Sequence, residues 1–125
     1  RQRQMCIRDS SGVVPRAHMA AYAASKAAAT HFTTSLGLES ARYGVRANVV
    51  APGTTLTNMV MGMWEGQDRS AQMVAGDPEA FKTGIPLGRV GRPEDVTGVV
   101  GFLLGESSRH MTMQVLAVDG GAAQH

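Results

Sequence analysis

Tyr43-Gly44-Val45-Arg46-Ala47-Asn48-Val49-Val50-Ala51-Pro52-Gly53 decides the fold of this chain. Upstream of it, Ala20 to about Tyr43 reads as one long helix, rich in alanine and carrying Phe32, Leu36 and Leu38 at spacings suited to burial. Gly44 supplies the stop, because a residue without a Cβ enters the left-handed conformation that closes a helix at little cost. Val45 to Val50 then reads as a buried strand, and Pro52-Gly53 ends it. A helix that runs directly into an apolar strand is half of a β-α-β unit. The expected class is therefore α/β, with a parallel sheet.

Further along, Thr54 to Phe81 shifts to Met, Gly, Gln and acidic residues, with Met59, Met61, Met63, Trp64 and Met73. Two short helices or a mobile flap fit this composition. Methionine is adaptable, so these side chains either line a surface that reshapes around a ligand or fill gaps in a small satellite core. Gly84-Ile85-Pro86-Leu87-Gly88-Arg89 is a turn-rich connection. Arg92-Pro93-Glu94-Asp95-Val96 reads as a helix start, with proline in the first turn and acids at the positive end of the dipole. That helix is expected to run to about Leu104, and Gln114 to Val118 forms the last strand before Gly120-Gly121.

Chemistry enters at Tyr22-Ala23-Ala24-Ser25-Lys26, which opens the long helix. Four residues apart, the phenol and the ammonium share one helix face. A cation beside a tyrosine favours the phenolate, and a phenolate can exchange a proton with a substrate hydroxyl. Tyr and Lys at this spacing also occur by chance on amphipathic helices, so the pair alone does not assign catalysis.

Tyr22-x-x-x-Lys26, then Arg46-x-Asn48-Val49-Val50-x-Pro52-Gly53-x-x-x-Thr57, then Val118-Asp119-Gly120-Gly121 resembles the second half of a short-chain dehydrogenase/reductase, with the blocks in that family's order and spacing. The resemblance runs from about Gly12 to Gly121. It implies the C-terminal half of a Rossmann-type doubly wound parallel sheet, an incomplete domain. The family's T-G-x-x-x-G-x-G turn, which cradles the dinucleotide at a helix start, occurs nowhere in the sequence. Residues 11–125 are expected to be the C-terminal part of a single dehydrogenase domain, and residues 1–10 a non-native leader.

A narrower resemblance lies in Pro15-Arg16-x-x-Met19-x-Ala21-Tyr22 and in His110-x-Thr112-Met113-Gln114. Both are similar to one branch of the family, the 2,3-dihydro-2,3-dihydroxybenzoate dehydrogenases of catechol-siderophore biosynthesis. Most of the family carries Thr-Gly in place of Thr112-Met113 and lacks the Pro-Arg pair.

The resemblance implies Tyr22 as general acid/base and Lys26 as its activator and a ligand of the nicotinamide ribose. Pro52, Gly53, Thr55 and Thr57 are implied to meet the nicotinamide end of the cofactor, which is NAD, with NADP also admitted. Arg16 is either a bidentate ligand for a substrate carboxylate or a solvated loop arginine. Met19 and Met59 are expected beside the substrate ring. The segment from Thr54 to Phe81 would cover the substrate, and the full-length protein would be a homotetramer. The alternatives are another member of the family, such as a 3-oxoacyl-carrier-protein reductase, and a non-catalytic fragment able only to associate with other chains.

The first ten residues, Arg1-Gln2-Arg3-Gln4-Met5-Cys6-Ile7-Arg8-Asp9-Ser10, do not read as the strand that should lead into the family's serine, because a buried parallel strand is a run of Val, Ile and Leu. The serine's position is occupied by Asp9, whose charge would oppose formation of the Tyr22 phenolate. Ser10 is the nearest substitute; Ser10 and Ser11 also read as plain loop residues beside Gly12.

Composition narrows the rest. The chain has 125 residues, 43% hydrophobic and 18% charged, which is ordinary for a globular domain. Its formal net charge of +2 comes entirely from residues 1–10, since the remainder holds nine basic and nine acidic residues. Without a basic stripe interleaved with aromatics, nucleic acid is excluded as a partner, and the partner is a small-molecule substrate. Cys6 is the only cysteine and cannot form an internal disulfide. No apolar run reaches membrane-spanning length, so a cytoplasmic location and no membrane partner are expected. His18 and His31 lack companions at ligand spacing, and no catalytic metal is predicted.

Overall fold

In a computed structural model, which describes residues 3–7, 14, 15 and 17–123, the chain runs β1 (Arg3–Ile7), α1 (Ala20–Ser40), β2 (Arg46–Pro52), α2 (Asn58–Met63), α3 (Ser70–Ala75), α4 (Pro93–Leu104) and β3 (Val115–Val118). Single 3₁₀ turns follow α1 at Ala41–Tyr43 and α4 at Glu106–Ser108. The three strands form one parallel sheet in the order β1-β2-β3. The parallel α/β architecture is the one expected from the sequence.

The central strand makes the core. Ala47, Val49, Val50 and Ala51 of β2 are fully buried, as an apolar strand flanked on both sides and covered by helices should be. Gly44 closes the preceding turn with φ +72°, and its N–H donates to Ala41 at 2.9 Å.

α1 lies on β2 along a narrow stripe of small residues. Thr33 and Gly37 are its buried positions, one turn apart. A Cβ at Gly37 would stand 3.0 Å from Met113 Cγ and 3.2 Å from Ala47 Cβ, so the helix approaches the sheet as closely as glycine permits. This corrects the expectation for Phe32 and Leu38, which are 69% and 68% exposed, while Leu36 is half-buried. Close approach selected small side chains for the inner face, and the large ones were displaced to the outer face.

β1 is a second correction. Arg3–Ile7 forms a strand, in register from Arg3↔Arg46 to Ile7↔Val50, where the sequence was expected to hold none. Parallel pairing is made by backbone groups. That pairing does not depend on the continuous apolar run by which a buried strand is recognised in sequence.

Arg46 and Asn48, which the sequence offered only as motif letters, tie β2 to the connection between α4 and β3. The Arg46 guanidinium donates to the carbonyls of Met111 at 2.9 Å and Leu103 at 2.7 Å, the latter at the negative end of α4. Asn48 Nδ2 donates to Met111 O at 3.1 Å, and its Oδ1 accepts from Gln114 N at 3.1 Å. Met113, between them, takes φ +59° and donates its N–H to Ala47 O at 2.6 Å. Glycine, which lacks a Cβ, would suit that left-handed backbone better than methionine does.

Candidate active site

Tyr22 stands in the first turn of α1, 42% exposed, and Lys26 follows on the same face, half-buried. The Lys26 ammonium lies 5.1 Å from the centroid of the Tyr22 ring, within the range of a cation–π contact. Ser25, between them, turns away from chemistry: its hydroxyl donates to Tyr22 O at 2.7 Å. Met19 is the helix N-cap, half-buried, and its carbonyl accepts the first helical bond from Ala23 N at 2.8 Å.

The second part of the site is the loop leaving the carboxyl end of β2. Gly53 follows Pro52 and donates its N–H to Val118 O at 3.0 Å, which extends the β2–β3 pairing by one rung. Glycine is required there by proximity: a Cβ would fall 2.6 Å from Asp119 Cβ. The Thr55 hydroxyl donates to Gly53 O at 3.0 Å and tightens the turn. Thr57 is the N-cap of α2, its hydroxyl accepting from Val60 N at 3.3 Å. A hydroxyl that accepts from the backbone can still donate to a ligand.

Beyond the loop, α2 and α3 are the two short helices anticipated between Thr54 and Phe81. Met59 and Met63, four apart, are 73% and 65% exposed, whereas Trp64 at the end of α2 is buried and anchors it. α3 is held from behind, because Ile85 N donates to Val74 O at 2.9 Å.

Two braces of the loop were not identified from the sequence. Gly91 lies alongside it, donating N–H to Thr54 O at 3.0 Å and accepting from Leu56 N at 2.8 Å. Asp119 lies beneath Gly53, its carboxylate accepting from Gly121 N at 2.9 Å and Ala123 N at 2.8 Å. Asp119 was visible as part of a motif, but its contact with Gly53 joins residues far apart in the chain. A cleft of about 560 Å³ at the carboxyl end of β3 is bordered by Leu87, Arg89, Gly91, Asp95, Val118 and Asp119 among others, and by neither Tyr22 nor Lys26.

Electrostatics concentrate at the start of α4. Hydrogen bonds from the Arg89 guanidinium, then from the Arg92 amide, hold the Asp95 carboxyl well below the usual carboxylate range. The same pairing raises the Arg89 guanidinium. Hydrogen bonds from the side chain and then the amide of Ser70 lower Asp68.

Ser10 and Arg16 lie outside the described residues. His110 is exposed on the turn after α4. Among the described residues, no three His, Cys, Asp or Glu side chains are grouped to hold a metal, and no helix is long and apolar enough to cross a membrane.

Comparison with known proteins adds a family context. A family model described as enoyl-(acyl carrier protein) reductase matches residues 5–123. The chain is 50% identical to the 2,3-dihydro-2,3-dihydroxybenzoate dehydrogenase of Bacillus subtilis (strain 168), over 87% of this chain and 42% of that protein. It is 45% identical to the Escherichia coli (strain K12) protein of the same name, over 86% of this chain and 44% of that one. Among solved structures, a short-chain dehydrogenase/reductase family oxidoreductase from Burkholderia thailandensis superposes with a TM-score of 0.79 at 31% identity, covering 98% of this chain and 44% of the other. The chain spans less than half the length of these relatives.

Proposed function

The chain belongs to the short-chain dehydrogenase/reductase family, and from that membership we propose that it is the acid/base half of an NAD-dependent dehydrogenase that converts 2,3-dihydro-2,3-dihydroxybenzoate to 2,3-dihydroxybenzoate. The observation that carries this reading is the Lys26 ammonium 5.1 Å from the Tyr22 ring, on a partly exposed first turn of α1. The names of the relatives support the substrate.

In the proposed reaction the substrate loses a proton from a hydroxyl and a hydride from the carbon that bears it. The Tyr22 oxygen takes the proton, with the Lys26 ammonium held 5.1 Å from the ring on the same helix face. Proton transfer by a positioned group of this kind contributes roughly 10²–10⁴-fold to a rate. A nicotinamide nucleotide, when bound, supplies the hydride acceptor, and the protein supplies position and charge.

The residues present suit such a cofactor. Lys26 offers ammonium donors for ribose hydroxyls, and the Pro52, Gly53, Thr55 and Thr57 loop lies at the carboxyl edge of the sheet, where ligands of open parallel sheets bind. Met59, exposed on α2, and Met19, half-buried at the start of α1, offer apolar walls for the ring. Arg16 is proposed for the substrate carboxylate and Ser10 as a poor substitute for the family's serine. The ketone formed tautomerises to the aromatic ring. NAD is the nucleotide implied by the resembling branch, and the assembled enzyme is proposed as a homotetramer.

The test is turnover by a full-length dehydrogenase carrying this segment, read as NADH formation, with the dihydrodiol and a β-ketoester compared. Preference for the dihydrodiol is expected, and preference for the β-ketoester overturns the assignment. For the 125-residue chain by itself, NADH binding no tighter than millimolar is expected in a titration.

A further inference from the structure

We infer that Arg89 and Asp95 are positioning residues for the loop Thr54–Thr57, acting through Gly91 to hold the site's nicotinamide-facing backbone in register; this rests on the function proposed above. Arg89 grips Asp95 with both ends of its guanidinium, Nη1 to Oδ2 at 2.7 Å and Nη2 to Oδ1 at 2.9 Å. The same carboxylate accepts the Arg92 N–H at 2.8 Å, closing the N-terminus of α4. Residues 89–95 are thus drawn into a closed loop that contains Gly91.

Gly91 is the contact with the site. Its N–H and C=O bond to Thr54 O and Leu56 N, and a Cβ placed on it would stand 3.3 Å from Thr54 O. Two such hydrogen bonds between irregular segments would open readily if neither segment were fixed. The segment with Gly91 is fixed at the far end, because α4 is docked through buried Leu103 and through Leu103 O, which accepts from Arg46 of β2. Arg89–Asp95 therefore closes a path from β2, through α4 and Gly91, back to the loop that leaves β2.

A partly exposed ion pair, here with side chains 53% and 32% exposed, ordinarily contributes little. This pair differs in being bidentate and in sharing its carboxylate with a helix cap, the arrangement in which geometric restraint is strongest. Its role is direction more than stability.

Hydrogen exchange at the amides of Leu56 and Gly91 tests it without nucleotide, with Val49 N, bonded to Gln114 O at 2.8 Å, as the reference for the sheet. Arg89→Met keeps the aliphatic stem and removes the fork. Asp95→Asn keeps an acceptor for the Arg92 amide and removes the charge. Both are expected to speed exchange at Leu56 and Gly91 about tenfold while Val49 stays within about twofold, and Arg89→Lys should restore part of the protection. Unchanged exchange at Leu56 and Gly91, an equal rise at Val49, or no difference between Met and Lys at position 89 overturns the inference. In a full-length dehydrogenase, Arg89→Met should raise KM for the nucleotide and leave kcat within about twofold. Loosened amides with an unmoved KM defeat the positioning role, whereas absence of dihydrodiol turnover in the unsubstituted enzyme defeats the proposed function.

Discussion

Gly53 and Asp119 meet so closely that a Cβ on Gly53 would fall 2.6 Å from Asp119 Cβ and 2.8 Å from its Cα. The turn after β3 is packed directly beneath the loop after β2, and the Gly53 N–H bonds to Val118 O in the same place. The loop read as cofactor-facing therefore takes its position from the last strand. The Asp119 carboxylate is committed to the amides of Gly121 and Ala123, so the turn beneath Gly53 resists yielding.

Gly53→Ala should force these backbones apart. Overpacking of a well-fitted contact costs about 1–3 kcal/mol, so a lower urea midpoint is expected with little change in slope. A midpoint equal to that of the unsubstituted chain would show that the loop can move aside freely.

Tyr22→Phe removes the phenol that the proposed reaction needs and keeps the ring beneath the Lys26 ammonium. In a full-length dehydrogenase, kcat should fall by about 10²–10⁴-fold, with circular dichroism and melting unchanged. Lys26→Met should lower kcat as well, because it removes the ammonium that stands beside the Tyr22 ring. Retention of most activity by Tyr22→Phe would remove the tyrosine from the chemistry.

Gly37→Leu tests the narrow contact between α1 and β2. Helix propensity favours leucine over glycine by somewhat under 1 kcal/mol, but the new side chain would meet Met113 and Ala47 at 3.0 and 3.2 Å from its first carbon. The steric term should dominate, giving net destabilisation of about 1–3 kcal/mol in denaturant titrations. A more stable variant would mean that α1 rides higher on the sheet than this contact implies.

Asp95 links stability to acid. Its carboxyl is held low in the folded chain by Arg89 and by the Arg92 amide, so the folded state binds that proton less readily than the unfolded state. The stabilisation is present above the unfolded value of about 3.9 and is lost as pH falls through the folded value. Thermal melts should therefore show Asp95→Asn less stable than the unsubstituted chain at neutral pH, with the gap closing as pH drops below about 4. A gap that stays constant with pH would mean that the ion pair does not stabilise the folded state.

Sequence alone determined the features set by local chemistry. The long helix and its stop at Gly44, the apolar run of β2, the proline-led start of α4 and the Tyr22–Lys26 pair on one face all depend on residues within a turn or two of each other. The family motifs begin on the long helix and on β2 and end at β3, in chain order, so the class of fold is legible in the order of the residues.

Tertiary structure decided the rest, because it depends on what each element packs against. Phe32 and Leu38 have the spacing of core residues, yet they face outward, since β2 approaches α1 closely enough to accept only Thr33 and Gly37. Arg3–Ile7 lacks the apolar run expected of a buried strand, yet it pairs with β2 in parallel register, because the ladder is made by backbone groups. The sequence records glycine at position 53, but only the fold brings Asp119 beneath it and Gly91 alongside its loop. Such contacts join distant parts of the chain through close packing, and no local pattern of residue types carries that information.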